Sequence, residues 1–95
     1  MIIVWTEAAE MDRWEAMEYY ISKGVPEVAL ELDEQISSTI ARLEQFPKSA
    51  RTGRIRGTRE AIVGPYILTY RILQDYLLIT HFVHGSMLYP PARGR

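Results

Sequence analysis

Pro47 divides this chain into two kinds of sequence, and no helix can run through it, because proline lacks an amide donor and its ring collides with the preceding turn. Before Pro47 the apolar residues recur every three or four positions; after it they come in short runs rich in β-branched and aromatic side chains. From Glu7 to Ser22, Ala8, Met11 and Trp14, with Ala9, Met17 and Ile21, mark the apolar stripe of a helix. Glu7, Glu10, Asp12, Glu15 and Glu18 form its wet face, and acids crowd the first turns as the helix dipole favours. Thr6 is placed to cap that helix, and Ile2-Ile3-Val4-Trp5 predicts a strand over residues 2–5 that passes straight into it. Lys23-Gly24-Val25-Pro26 then supplies a glycine stop and a proline suited to opening a second helix. Along that helix Val28, Leu32, Ile36, Ile40 and Leu43, joined by Ala29 and Phe46, repeat at helical spacing up to Pro47. The result is an antiparallel helical hairpin, acidic outside and apolar inside, which needs a surface to cover.

The second half provides one. Ala61-Ile62-Val63, Ile67 through Leu73 and Tyr76 through His84 read as strands separated by Gly64-Pro65 and Gln74-Asp75, the latter a hairpin-sized gap. Leu77-Leu78-Ile79 lacks polar alternation, as expected of a strand apolar on both faces. The fold class is therefore α+β: two antiparallel helices packed on a mostly antiparallel sheet of about four strands. At 95 residues there is material for one core, expected over residues 1–89, with Pro90-Pro91-Ala92-Arg93-Gly94-Arg95 as an extended or disordered tail. The chain has no cysteine, so it has neither disulfides nor thiolate metal ligands. His81 and His84, three apart on one strand, point to opposite faces, so no metal is expected, and no cofactor. The apolar N-terminus is too short for a signal peptide or membrane span, and a cytoplasmic location is expected.

Charge separates the halves as sharply as periodicity does. Residues 1–47 carry three bases against ten acids, a balance of −7; residues 48–95 carry eight bases against Glu60 and Asp75, a balance of +6. Much of the positive charge lies in Arg51-Thr52-Gly53-Arg54-Ile55-Arg56-Gly57-Thr58-Arg59, a basic rim just before the most strand-like sequence and suited to an acidic partner. One reading of Arg51, Arg54, Arg56 and Arg59 is a set of phosphate contacts to nucleic acid. The other is a grip on an acidic protein segment or on the chain's own glutamate-rich helices. The sequence pI of about 6.1 favours protein binding over a domain built to sit on RNA.

Trp5-Thr6 entering the first helix, Phe46-Pro47, Gly53-Arg54 followed by Gly57-Thr58-Arg59-Glu60, Tyr66, Tyr70-Arg71, and His84-Gly85 before Tyr89-Pro90 together resemble the RelE/ParE family of bacterial type II toxins. The resemblance spans nearly the whole chain. It implies a β-α-α-β-β-β domain neutralised by a small cognate antitoxin, with arrest of growth by one of two routes. RelE-like members cleave messenger RNA on the ribosome; for that route the resemblance implies His84, Arg59, Arg71 and Tyr89 as the catalytic set. ParE-like members inhibit DNA gyrase without that chemistry. Many relatives place one or two arginines after His84-Gly85, where this chain has Ser86-Met87, so a cation that would stabilise charge at phosphorus is missing. The ParE-like route is therefore expected, with the ribosome-dependent endoribonuclease as the alternative and a non-toxic relic that only binds antitoxin as a further one; Arg51, Arg54, Arg56, Arg59, Tyr70 and His81 are expected to meet the target or the antitoxin, and a homodimer is possible within a toxin-antitoxin complex.

Overall fold

The computed structural model describes residues 1–87, and the expected tail and Tyr89 lie outside them. The elements follow the expected order: β1 (Ile2–Trp5), α1 (Glu7–Ser22), α2 (Pro26–Gln45), β2 (Arg51–Thr52), β3 (Arg59–Val63), β4 (Tyr66–Ile72) and β5 (Tyr76–His84). They form one five-stranded sheet in the order β1-β5-β4-β3-β2, covered on one face by the helices. β1 runs parallel to β5, and every other neighbour is antiparallel. The strand beyond the four expected is β2, a two-residue edge inside the arginine block, too short and polar to carry a hydrophobic signature.

Local chemistry explains each boundary. Thr6 Oγ1 accepts the Ala9 amide at 3.1 Å and so caps α1, while the Thr6 amide donates to Ile79 O at 2.9 Å and ties that cap to β5. α1 closes when the Lys23 amide bonds Tyr19 O and that of Gly24 bonds Ile21 O, and Pro26 opens α2. α2 ends at Phe46, whose amide reaches Arg42 O before Pro47. Gly64 has a φ of +58°, which glycine adopts freely, and with Pro65 it makes the two-residue link from Val63 to Tyr66.

The buried face of α1 keeps Ala9 and Met17 of the expected stripe and differs in the rest. Ala9 and Ala16 are its buried residues, with Met17 and Tyr20 packed beside them, whereas Ala8, Met11, Trp14 and Ile21 are exposed. Both stripes have helical spacing, so periodicity could not choose between them. Packing chose, because small residues let the helix approach the sheet closely. On α2 the expected stripe is buried at Ala29, Leu32, Ile36 and Leu43, with Thr39 added, and Phe46 is exposed at its end.

One irregularity sets which side chains of β5 meet the helices. Leu77 pairs Ile72 and Ile79 pairs Tyr70, but His81 pairs Thr69, so Thr80 is an extra residue opposite the Thr69–Tyr70 step. After the bulge the alternation is reset. Phe82 enters the core, stacked on Tyr66 at 4.8 Å between ring centroids and tilted against Trp5 at 6.4 Å. Leu78, on the opposite face from Leu77 and Ile79, is half-buried.

Two substitutions on α1 test its corrected face. Ala16→Leu should cost about 1–3 kcal/mol in denaturant unfolding through overpacking. Trp14→Ala should change stability by no more than about 0.5 kcal/mol; the reverse order would restore the face read from periodicity.

Candidate functional site

The arginine block folds around one carboxylate. Glu60, on β3, is 2% exposed. Its Oε1 accepts from Arg51 Nη2 at 3.0 Å and lies 3.7 Å from Arg54 Nε, and its Oε2 accepts the Arg54 backbone amide at 2.9 Å. The loop between β2 and β3 is thereby drawn over the acid, and further closed by Gly53 N to Thr58 O at 2.8 Å. Arg51 and Arg54 keep about half of their side-chain surface in water while satisfying a buried charge that would otherwise be costly.

Arg59 and Tyr70 are cross-strand partners turned to the helix side, and both hold the link between α2 and β2. Arg59 Nη1 donates to Ala50 O at 2.8 Å and to Lys48 O at 3.3 Å; the Tyr70 hydroxyl donates to Pro47 O at 2.6 Å. The carbonyls freed by the proline break find their donors here. Burial raises the Tyr70 phenol above its ordinary value, partly offset by the backbone at Ala50 and by Arg59 and Arg42. Burial raises Tyr66 as well, helped by its hydroxyl contact with Tyr20 at 3.4 Å.

The described residues named for RNA cleavage, His84, Arg59 and Arg71, do not converge. His84 sits at the far end of β5, opposite Tyr66, with its ring edge-on to Tyr66 at 5.3 Å. Its Nδ1 accepts the Ser86 amide at 3.1 Å and lies 2.7 Å from Ser86 Oγ. Arg71 is five residues along β4 from Tyr66, roughly 17 Å at 3.3 Å per residue. It also stands on the other face of the sheet, because Tyr70 faces the helices. Arg59 is at the Arg71 end but on the helix face, and Tyr89 lies outside the described residues. His81 is half-buried on the face away from the helices, opposite the buried Thr69, with Nδ1 2.9 Å from Thr80 Oγ1. Among the described residues no three His, Cys, Asp or Glu side chains gather to hold a metal ion, and no helix is long and apolar enough to cross a membrane.

Two surfaces stand out instead. The first is the open, arginine-bearing end of the sheet, where Arg56 is exposed and Arg71 half-buried. The second is the outside of the hairpin, where Trp14 is 62% exposed on α1, with Met11 and Ile21 also exposed, and Leu30 is 65% exposed on α2. Trp14 and Met17, with Glu10 and the Arg13–Asp33 ion pair of 2.8 Å, line a cleft of about 190 Å³ between α1 and α2. Sequence reasoning missed Glu60 and the exposed hairpin stripe. A lone acid at the head of a strand and next to the arginine run was the available signal for Glu60.

A small mixed sheet backed on one face by an antiparallel helical hairpin is also the architecture of a chain from the chromosomal ParDE TA system of P. aeruginosa. It superposes with a TM-score of 0.77 at 22% identity, over 88% of this chain and 95% of that one. The YoeB/ParE toxin from Agrobacterium tumefaciens shares the fold at a TM-score of 0.62 and 16% identity, over 88% and 98% of the two chains. Sequence carries the identification further. Residues 3–89 match the family described as ParE toxin of type II toxin-antitoxin system, parDE, and the chain belongs to that family. It is also 34% identical to the toxin candidate Y4kP of Sinorhizobium fredii (strain NBRC 101917 / NGR234) over 90 residues, 93% of this chain and 92% of that protein.

Glu60→Gln should lower stability by about 1–3 kcal/mol, the range for hydrogen bonds to a charged group. It should also raise amide exchange across residues 53–58, with little change in β4. The raised tyrosines give a second expectation. Their protonated forms are favoured by folding, so their contribution is complete below the unfolded value near 10 and is lost as pH rises above it. The denaturant midpoint should fall above about pH 10, with a shallower fall in Tyr70→Phe.

Proposed function

We propose that this toxin, held in check by a cognate antitoxin, arrests growth by ParE-like inhibition of a protein target, DNA gyrase, rather than by cutting RNA. The observation that carries the reading is the dispersal of His84, Arg59 and Arg71 over two faces and two ends of the sheet. In-line cleavage of RNA needs a base within about 3 Å of the 2′-hydroxyl and cations on the same phosphate. A histidine roughly 17 Å along the strand from Arg71, on the opposite face, cannot share a phosphate with it. Two of the arginines are further committed to the fold, Arg54 to Glu60 and Arg59 to the carbonyls of Lys48 and Ala50. Ser86-Met87, where many RelE-like relatives carry arginine, supports the same reading.

Inhibition by binding needs exposed anchors, and the hairpin offers them in Trp14, Met11 and Leu30 among acids. The cognate antitoxin is supported by the family and by the ParDE likeness. The location expected is the cytoplasm, where such a target resides.

The test places gyrase supercoiling beside messenger RNA cleavage on ribosomes, using purified toxin and the His84→Ala variant. Supercoiling should be inhibited by both proteins, messenger RNA should stay intact, and His84→Ala should remain toxic. Cleavage of ribosome-bound messenger RNA that disappears in His84→Ala, with supercoiling untouched, would overturn the proposal in favour of an endoribonuclease.

A further inference from the structure

We propose that Arg71, with Arg56 beside it, is the anchor point for a carboxylate-bearing segment of the antitoxin. The inference rests on the partner reading above and assigns it an atomic site. Of the arginines gathered at this end of the sheet, Arg51 and Arg54 are bound to Glu60, and Arg59 to backbone carbonyls. Among the described residues, Arg71 and Arg56 enter no hydrogen bond or ion pair. They are the cations that the fold leaves to something else.

Arg71 is not a loose surface side chain. It is half-buried on the face of β4 away from the helices, two residues beyond the buried Thr69 and opposite Leu78 of β5. Its Nη1 lies 2.9 Å from the position a Cβ on residue 57 would take, so the guanidinium lies against the backbone of Gly57, whose φ of +80° is what calls for glycine. The guanidinium is therefore seated against the loop that follows Arg56. A planar fork already held in place loses little freedom on binding, and its geometry matches a carboxylate through two parallel hydrogen bonds. A partly desolvated cation with no internal partner also has the most to gain from an incoming anion.

The surrounding charge selects the class of partner. Arg51, Arg54, Arg56, Arg59 and Arg71 outnumber Glu60 and the turn residue Asp75 at this end, which draws in acidic groups. A nucleic-acid strand would need a run of available cations along its phosphates, whereas Arg51, Arg54 and Arg59 already serve the fold. The −7 balance of residues 1–47 also opposes a long polyanion, while a short acidic segment approaches from the basic end without meeting the hairpin.

The test is calorimetric titration of the purified toxin with its cognate antitoxin, at two salt concentrations, for the wild type, Arg71→Ala, Arg71→Lys, Arg56→Ala and the distant control Lys23→Ala, an exposed cation at the α1–α2 turn. Removing one partner of a charge-assisted bidentate bond should weaken binding by about 10- to 100-fold in Arg71→Ala. A smaller loss is expected in Arg56→Ala, partial recovery in Arg71→Lys, and a reduced salt dependence in both alanine variants of the pair. Free Arg71→Ala toxin should unfold at nearly the same denaturant concentration as the wild type, because only the packing of the Arg71 stem is lost and no hydrogen bond or ion pair to another described residue. Wild-type affinity in Arg71→Ala overturns the inference and leaves the partner reading standing; no binding by the wild type overturns both. Loss of binding that tracks loss of stability would make Arg71 structural. Arg71-dependent binding of an RNA oligonucleotide, with antitoxin affinity unchanged, would assign the site to nucleic acid instead.

Discussion

The carboxylate of Glu60, drawn into the sheet and held by the Arg51 side chain and the Arg54 amide, decides what the basic half of this chain can offer to a partner. A run of four arginines in nine residues has no reason to adopt one shape by itself, since like charges repel and the segment holds two glycines. One buried acid converts it into an ordered loop. It spends two of the cations in doing so, and Arg59 is spent on the carbonyls left by the proline break. What reads in the sequence as a uniform positive rim is, in the fold, an internal cluster with Arg56 and Arg71 left over.

The same economy governs the opposite end of the sheet. The extra residue Thr80 resets the alternation of β5, which sends Phe82 and His84 toward the helices and His81 to the open face. Without the bulge, continued alternation from Leu77 and Ile79 would turn His81 and Val83 to the core side instead. The bulge thus serves packing, by seating Phe82 between Tyr66 and Trp5, and in the same move takes His84 off the face that carries Arg71. A surface that keeps the family architecture without gathering a base and two cations is suited to binding.

Much of this was legible in the sequence. The helix boundaries at Thr6, Gly24, Pro26 and Pro47 are written in capping and breaking residues, whose effects are local, and the three long strands in their composition. Three things were not. The buried face of α1 rests on Ala9 and Ala16, whose small size matters only once a sheet lies beneath them, whereas the larger Met11 and Trp14 dominate any reading of periodicity. β2 exists because its two residues meet Glu60 and Arg59 across a loop, a long-range pairing without local signature. The division of the arginines into bound and available ones depends on which carbonyl or carboxylate each reaches, and spacing does not encode that. The parallel pairing of β1 with β5, first strand against last, is likewise a property of the closed fold.

The account stands on the claim that Arg51 and Arg54 belong to Glu60 and that Arg71 does not. Double-mutant cycles on unfolding free energy, pairing Glu60→Gln in turn with Arg51→Gln, Arg54→Gln and Arg71→Gln, measure this directly. For Arg51 the cycle should give a coupling of at least about 0.5 kcal/mol, within the range found for groups in one hydrogen-bonded network. Arg54 should couple more weakly, since its closest bond to the acid is through the backbone, and Arg71 should show coupling near zero. Coupling of Glu60 to Arg71 as large as that to Arg51, or none to Arg51, would contradict it.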